Sequence, residues 1–251
     1  MSDQKLNYFL NKYKKEIKIL VQVGAHFGQE IKTIQKYNFD KIILFEPNSE
    51  AVEVLKNKSK DFKNIQIYPF ALGNTNKKND MYYSIENKGQ SSSFLAPEIH
   101  KKVQPDIKFQ EKRLVEIKKF EDLNISSVDF LIMDVQGFEL EVLKGFGKKI
   151  NELKFLFTEV NRDNLYTNNV LIWDLDKYLY INGFLRIWTS WRTADMPWGD
   201  AFYLKTSSIS KYARNYFLLK NLLLTSSLFF KLYKLLDFRV YKKRLKKYLK
   251  L

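Results

Sequence analysis

Two groups of residues in this chain have the types and spacing to do chemistry. The first is Gly24 and Gly28, directly after the apolar run Lys18–Val23, with Glu46 closing a second apolar run, Ile42–Phe45, about twenty residues on. A strand, a glycine-spaced turn, a helix over Gln29–Tyr37 and a strand ending in an acid make half of a doubly wound nucleotide fold. Its ligand is expected outside the carboxyl ends of the strands. A dinucleotide site asks for G-x-G-x-x-G. The G-x-x-x-G spacing present here lets one backbone approach closely, offers less of a pyrophosphate nest, and suits S-adenosylmethionine better. A helix starting near Gly28 would aim free N–H groups at the cofactor's carboxylate, and Glu46 would accept both ribose hydroxyls. The competing reading is a plain turn, since glycines follow many strands.

The second group is carboxylates at later strand ends. Asp134 closes the run Ser127–Met133, and Glu159 follows Leu153–Phe157. Methyl transfer from a sulfonium is an in-line displacement that depends on alignment, and a base helps when the nucleophile is a hydroxyl. Asp134 is the first candidate for that base or for orienting the acceptor; a carboxylate capping the next turn is the alternative. Glu159 is the second candidate. His26, inside the glycine turn, is the third, against a role as a hydrogen-bonding turn residue. The other histidine, His100, reads as structural. Glu139, at a helix start, is a candidate substrate contact that favourable dipole placement would also explain, and Glu141 reads as a solvated face. Trp191 and Trp198 flank a loop, Ser190–Gly199, that also holds Arg192, Asp195 and Pro197 and could stack a sugar or a base; Trp188 reads equally as core. The carboxylates and His26 show no local metal-ligand spacing, so no metal is expected. With no cysteine in the chain, thiolate sites, disulfides and cysteine nucleophiles are excluded.

The elements that must position these residues alternate. Residues 5–17 read as an amphipathic helix with Leu6, Phe9, Leu10 and Tyr13 on one face. Ser49–Lys58 reads as a helix capped by its Ser, and Ile65–Leu72 as a third strand ending at Gly73. Residues 74–110 break the rhythm and read as an inserted hairpin near the active face, with Asn74–Asp80 a polar loop, Met81–Glu86 a strand and Gly89–Phe94 a small-residue loop. A helix over Phe138–Phe146 follows Asp134. Val170–Asn182 is helical until Gly183, and Phe184–Thr189 with Asp200–Lys205 reads as a late antiparallel pair. The predicted class is α/β, with a seven-stranded mostly parallel sheet and helices on both faces.

The 251 residues suffice for one sizeable core plus an appendage, and 45% hydrophobic content argues for a folded chain. The net charge is +15, yet from Ser208 onward twelve Lys and Arg face Asp237 alone, so +11 lies in the tail and +4 in residues 1–207. The body is therefore only mildly basic, which is poor grounds for nucleic-acid binding. Residues 1–207 form the expected catalytic domain and 208–251 a basic amphipathic helical tail, suited to peripheral membrane contact or to protein contact, including a second copy of the chain. The start lacks an apolar core of signal-peptide length and no stretch of eighteen uncharged apolar residues occurs, so a cytoplasmic location, with the tail at the inner membrane surface, is the expectation.

Several motifs together carry a family likeness. Val21-Gln22-Val23-Gly24-Ala25-His26-Phe27-Gly28-Gln29, Phe45-Glu46-Pro47, Ala71-Leu72-Gly73, Gly89 with Ser91 to Ser93, and above all the block from Val128 to Gly145 resemble the FkbM family of S-adenosylmethionine-dependent O-methyltransferases over roughly residues 17–205. The resemblance implies a class I, Rossmann-like methyltransferase fold. It also implies methyl transfer to a hydroxyl of a small-molecule sugar, a polyketide or a cell-surface glycan such as capsule or lipopolysaccharide. The cofactor residues it implies are Gln22, Gly24, Ala25, His26, Gly28 and Gln29 around the first turn, Glu46 and Pro47 after the second strand, Ala71 and Leu72 after the third, then Ser92, Asp134 and Gln136. The family usually has an acid at position 22, near the cofactor's amino group; here Gln22 can accept a hydrogen bond but carries no charge. Two rivals remain. A nucleic-acid methyltransferase would use the basic tail for phosphates, although strand four ends in Asp-Val-Gln-Gly and not in the Pro-Pro-aromatic turn of base amino-methylation. A non-catalytic, membrane-recruited binding module on the same fold has only Gln22 in its favour.

Overall fold

The computed structural model describes residues 3–193 and 196–225. In chain order the elements are α1 (Asp3–Tyr13), β1 (Ile19–Val23), α2 (Ile31–Ile34), β2 (Lys41–Phe45), α3 (Ser49–Ser59), β3 (Ile65–Tyr68), β4 (Ala71–Leu72) and β5 (Lys77–Tyr83). They continue with α4 (His100–Val103), β6 (Glu111–Lys118), β7 (Phe130–Met133), α5 (Glu139–Gly145), β8 (Phe155–Asn161), α6 (Ile172–Ile181), β9 (Phe184–Trp191), β10 (Trp198–Lys205) and α7 (Lys211–Thr225). Seven strands form one sheet in the order β3-β2-β1-β7-β8-β10-β9. Neighbours are parallel except at β10, which runs antiparallel to β8 and to β9. The chain winds one way from β1 to β3 and the other way from β7, so the crevice opens between the carboxyl ends of β1 and β7.

The central strands are apolar on both faces because helices cover both. Leu20, Ile42, Leu44, Phe130 and Ile132 pack with Leu6, Phe9 and Leu10 of α1, Ile31 and Ile34 of α2 and Leu55 of α3. Val21, Val23, Ile43, Leu131 and Met133 pack on the other side with Val142 and Leu143 of α5 and Leu175 and Leu179 of α6. Each such side chain contributes roughly 1.5–3 kcal/mol by leaving water. At the amino ends of the strands, Asp129 fastens the edge of this core. Its Oδ2 accepts from the backbone N–H groups of Lys18 (2.8 Å) and Ile19 (2.9 Å), and Lys154 Nζ lies 2.7 Å from Oδ1.

Five expectations change. The helix over Gln29–Tyr37 is a single turn, Ile31–Ile34; Gly28 sits at φ +68°, and Tyr37 turns away so that its hydroxyl reaches Asn7 of α1. The cap of α3 is Asn48, whose side chain accepts from Glu50 N (3.1 Å), and not Ser49. The run Ile65–Leu72 breaks at Pro69, which has no N–H for a ladder; β3 stays in the main sheet while β4 joins a second sheet, β4-β6-β5. The insertion is accordingly larger than a hairpin over 74–110. Its partner strand is β6, a charged segment whose burial alternates around Val115 and Ile117. β9 and β10 also run further than expected, to Trp191 and from Trp198.

Beyond the sheet, α7 lies along β9, where Asn221 Nδ2 donates to the Arg186 carbonyl (2.9 Å). Residues 226–251 of the expected basic tail, and Asp195 of the aromatic loop, lie outside the described residues. No helix among the described residues is long and apolar enough to cross a membrane.

Candidate active site

The turn after β1 puts backbone where a side chain cannot go. Gly24 has φ +80°, and a Cβ there would collide with the Asp134 carbonyl oxygen, so the ends of β1 and β7 touch through this glycine. The N–H groups of Gly24 and Ala25 both donate to the Phe45 carbonyl, at 3.0 and 3.1 Å, binding the turn to the end of β2. Glu46, the next residue, is buried at the floor of the crevice. Its Oε2 accepts from His26 N (2.7 Å) and its Oε1 from Asn48 N (2.8 Å), so the carboxyl plane is held with a lone pair on each oxygen still available. Burial pushes its carboxyl up to about 7 against the lowering effect of those two N–H donors.

A cleft of about 250 Å³ opens above these residues. One wall is apolar, from Ala71, Leu72, Met81, Phe94 and Phe138, and the other is acidic and amide-bearing, from Gln22, Glu30, Glu46 and Asp134. Gln22 is buried; its Nε2 donates to Glu30 Oε2 (3.0 Å), and its Oε1 has no partner. A cavity with apolar lining, a fixed carboxylate and an orphaned amide oxygen suits a cationic nucleoside bearing a diol. Among the described residues no group of three or more His, Asp or Glu is placed to hold a metal ion.

A second, wider cavity of about 420 Å³ adjoins the first through Gln90, Asp134, Gln136 and Arg192, which line both. Glu159, His100 and Trp198 complete its chemistry. Gln136, in the left-handed region at φ +54°, is the hub: its Nε2 donates to Asp134 Oδ1 (2.8 Å) and to Glu159 Oε2 (3.3 Å). The Tyr166 hydroxyl lies 2.9 Å from Gln136 Oε1 and 2.8 Å from the Ser91 carbonyl, and Ser93 Oγ donates to the Gln136 carbonyl (2.8 Å). The insertion thus orients the residue that holds both carboxylates. Burial, then the charges of Asp134 and Glu139, hold Glu159 well above the usual carboxylate range.

Most of the expected cofactor residues meet in the first cleft: Gln22, Gly24, His26, Gln29, Glu46 and Pro47, with Ala71, Leu72, Ser92, Asp134 and Gln136. Ala25 and Gly28 do not line it. Ala25 is fully buried under the turn, and a Cβ on Gly28 would strike Ile31 and Leu55, so both serve packing. The helix N-terminus expected near Gly28 falls instead at Ile31. His26 lines the cleft, yet both ring nitrogens are taken, one within 2.9 Å of Gln29 Nε2 and the other 3.0 Å from the Lys88 carbonyl. That pairing latches the turn to the insertion and leaves neither ring nitrogen open toward an acceptor. Glu139 faces neither cavity: fully buried, it accepts from Gly137 N (3.1 Å) and Val135 N (3.3 Å), and burial raises it to about 7. Trp191 also lines neither cavity and has the Arg162 guanidinium over its ring at 4.8 Å, whereas Trp198 lines the second. Trp188 is core, stacked on Phe157.

Sequence reasoning missed Glu30, Asn48 and Gln90 and left His100 as structural. His100 is buried at the second cavity with Nδ1 lacking a partner, and burial pushes its pKa down, keeping the ring neutral. Glu30 had a signal, an acid within reach of the glycine turn, that the reading passed over for Gln22.

Residues 22–186 match the model of the methyltransferase FkbM domain. The 2-O-methyltransferase NoeI of Sinorhizobium fredii (strain NBRC 101917 / NGR234) is 22% identical over 158 residues, covering 59% of this chain and 65% of that one. The crystal structure of a methyltransferase FkbM from Methylobacillus flagellatus KT superposes with a TM-score of 0.51 at 18% identity, covering 75% of this chain and 44% of that one. The chain thus spans less than two thirds of the length of either protein, and the second likeness speaks for the fold alone.

Proposed function

The chain belongs to the FkbM methyltransferase family, and from that premise we propose that it methylates a sugar hydroxyl with S-adenosylmethionine, on a nucleotide-activated sugar or on a capsule or lipopolysaccharide glycan. The observation that carries the reading is the junction of the two cavities. The cleft built around Glu46 meets the polar cavity at Asp134 and Gln136, which are hydrogen-bonded to each other and line both. The similarity to a protein named as a 2-O-methyltransferase supports a hydroxyl acceptor.

When bound, S-adenosylmethionine supplies the electrophilic methyl group; the residues supply binding, alignment and a proton acceptor. Glu46 takes the ribose diol on its two anchored oxygens, and the apolar wall of Leu72, Met81 and Phe138 takes the adenine. Asp134, oriented by Gln136, accepts the proton of the acceptor hydroxyl. Glu159, whose carboxyl is raised by burial and by the Asp134 and Glu139 charges, lines the cavity beside the acceptor and contacts the same sugar, and Trp198 offers it an apolar face. The Asp134 carboxylate at the junction is a poor neighbour for a phosphodiester backbone, which favours a sugar hydroxyl over nucleic acid as the acceptor. The exposed Arg192 at the mouth is available to a nucleotide's diphosphate. Incubation with S-adenosylmethionine and a panel of nucleotide sugars, read by mass spectrometry, tests this: one acceptor should gain a methyl group. Methylation of RNA with no sugar turned over would overthrow the acceptor class.

A further inference from the structure

The resemblance places an acid at position 22, and this chain has Gln22. In the structure a carboxylate stands beside Gln22. The turn from Gly24 to Glu30 brings the chain back beside the end of β1, so that Glu30, the residue before α2, lines the same acidic wall as Gln22 and Asp134. Gln22 Nε2 donates to Glu30 Oε2 (3.0 Å), which fixes the carboxylate, while Gln22 Oε1 is buried with no partner. An orphaned carbonyl oxygen in a cleft is an acceptor awaiting a donor. A carboxylate on the adjacent side chain makes the wanted donor a cation. A primary ammonium, with three N–H groups and one charge, satisfies both at once.

We propose that Glu30 is the binding residue for the α-ammonium of S-adenosylmethionine, replacing the acid at position 22, with Gln22 positioning Glu30 and accepting a second N–H through Oε1. The proposal rests on the cleft being the cofactor site, and it assigns the methionine end of the cofactor to one wall. The wall also explains itself without ligand: burial and the nearby Asp134 charge raise the Glu30 carboxyl, an imbalance that a bound cation relieves.

The test is Glu30→Gln in the full chain, since Gln at 30 keeps an acceptor for Gln22 Nε2. Calorimetric titrations compare S-adenosylmethionine with 5′-methylthioadenosine, which keeps the nucleoside and lacks the amino-acid group. Glu30→Gln should weaken S-adenosylmethionine about 10- to 100-fold, the value of a charge-assisted hydrogen bond, and leave 5′-methylthioadenosine unchanged. The double variant Gln22→Glu with Glu30→Gln should recover most of the loss, because it returns the charge to position 22. Equal affinity of wild type and Glu30→Gln for S-adenosylmethionine overturns the proposal, and so does an equal loss for both ligands. A wild type that binds neither ligand overturns the cofactor reading itself, which separates that failure from this one.

Discussion

At the level of single residues, the site depends on carboxyls whose environments differ. Asp134 is oriented by Gln136 Nε2 at 2.8 Å, so Asp134→Asn keeps shape and can still accept from that amide but cannot take a proton. Turnover should fall by about 10²–10⁴ with cofactor affinity nearly kept; a loss below tenfold would show that alignment alone suffices. Glu46 makes a pH prediction. Its carboxyl lies at about 7 in the unliganded cleft, so below that pH one oxygen carries a proton and is lost as an acceptor for the diol. Affinity for S-adenosylmethionine should therefore rise as pH passes upward through about 7, and Glu46→Gln should bind roughly 10- to 100-fold more weakly at pH 8 with that dependence removed. An unaltered profile in the variant would take Glu46 out of the site. Residues such as Glu46 and Asp134 were legible because each ends an apolar run at a predictable end of a parallel strand. Glu30 carried only the weak signal of an acid near the glycine turn, and His100 carried none, because its place depends on how the insertion folds back.

Among the elements, the strands of the main sheet could be read from apolar runs because burial on both faces removes any other pattern. What escaped was set by tertiary context. β6 is Glu- and Lys-rich and shows its strand character only through Val115 and Ile117, while the helix after the first turn shrinks to Ile31–Ile34 because Tyr37 is drawn toward α1. The late hairpin has a fastening that no sequence pattern announced. Arg186 of β9, 2% exposed, forms a two-point pair with Asp176 of α6 (Nε to Oδ1 2.9 Å, Nη2 to Oδ2 2.8 Å), and Tyr203 of β10 donates to the same carboxylate at 2.8 Å. Removing the acid strands a buried guanidinium, so Asp176→Ala should cost about 3–5 kcal/mol in denaturant unfolding. A change below about 1 kcal/mol would mean the pair is replaceable by water.

For the whole molecule, the catalytic body and the tail pose separate questions. α7 leaves Tyr212, Tyr216, Leu219 and Leu222 exposed beside Lys211, Arg214 and Lys220, and we propose that this face meets an anionic membrane surface in preference to a protein partner. Deleting residues 208–251 should abolish sedimentation with phosphatidylserine vesicles while sparing the catalytic body; a full chain that ignores such vesicles and a truncated one that changes oligomer size would make the tail a protein interface. The central claim, however, is that the cleft between β1 and β7 holds S-adenosylmethionine, and everything proposed about the acceptor depends on it. Calorimetric titration of S-adenosylmethionine into the full chain at pH 8, above the Glu46 transition, addresses it most directly. Saturable binding at one site per chain, displaced by S-adenosylhomocysteine, is the predicted result. A folded chain that gives no binding heat and no change in melting temperature at millimolar cofactor would contradict the account.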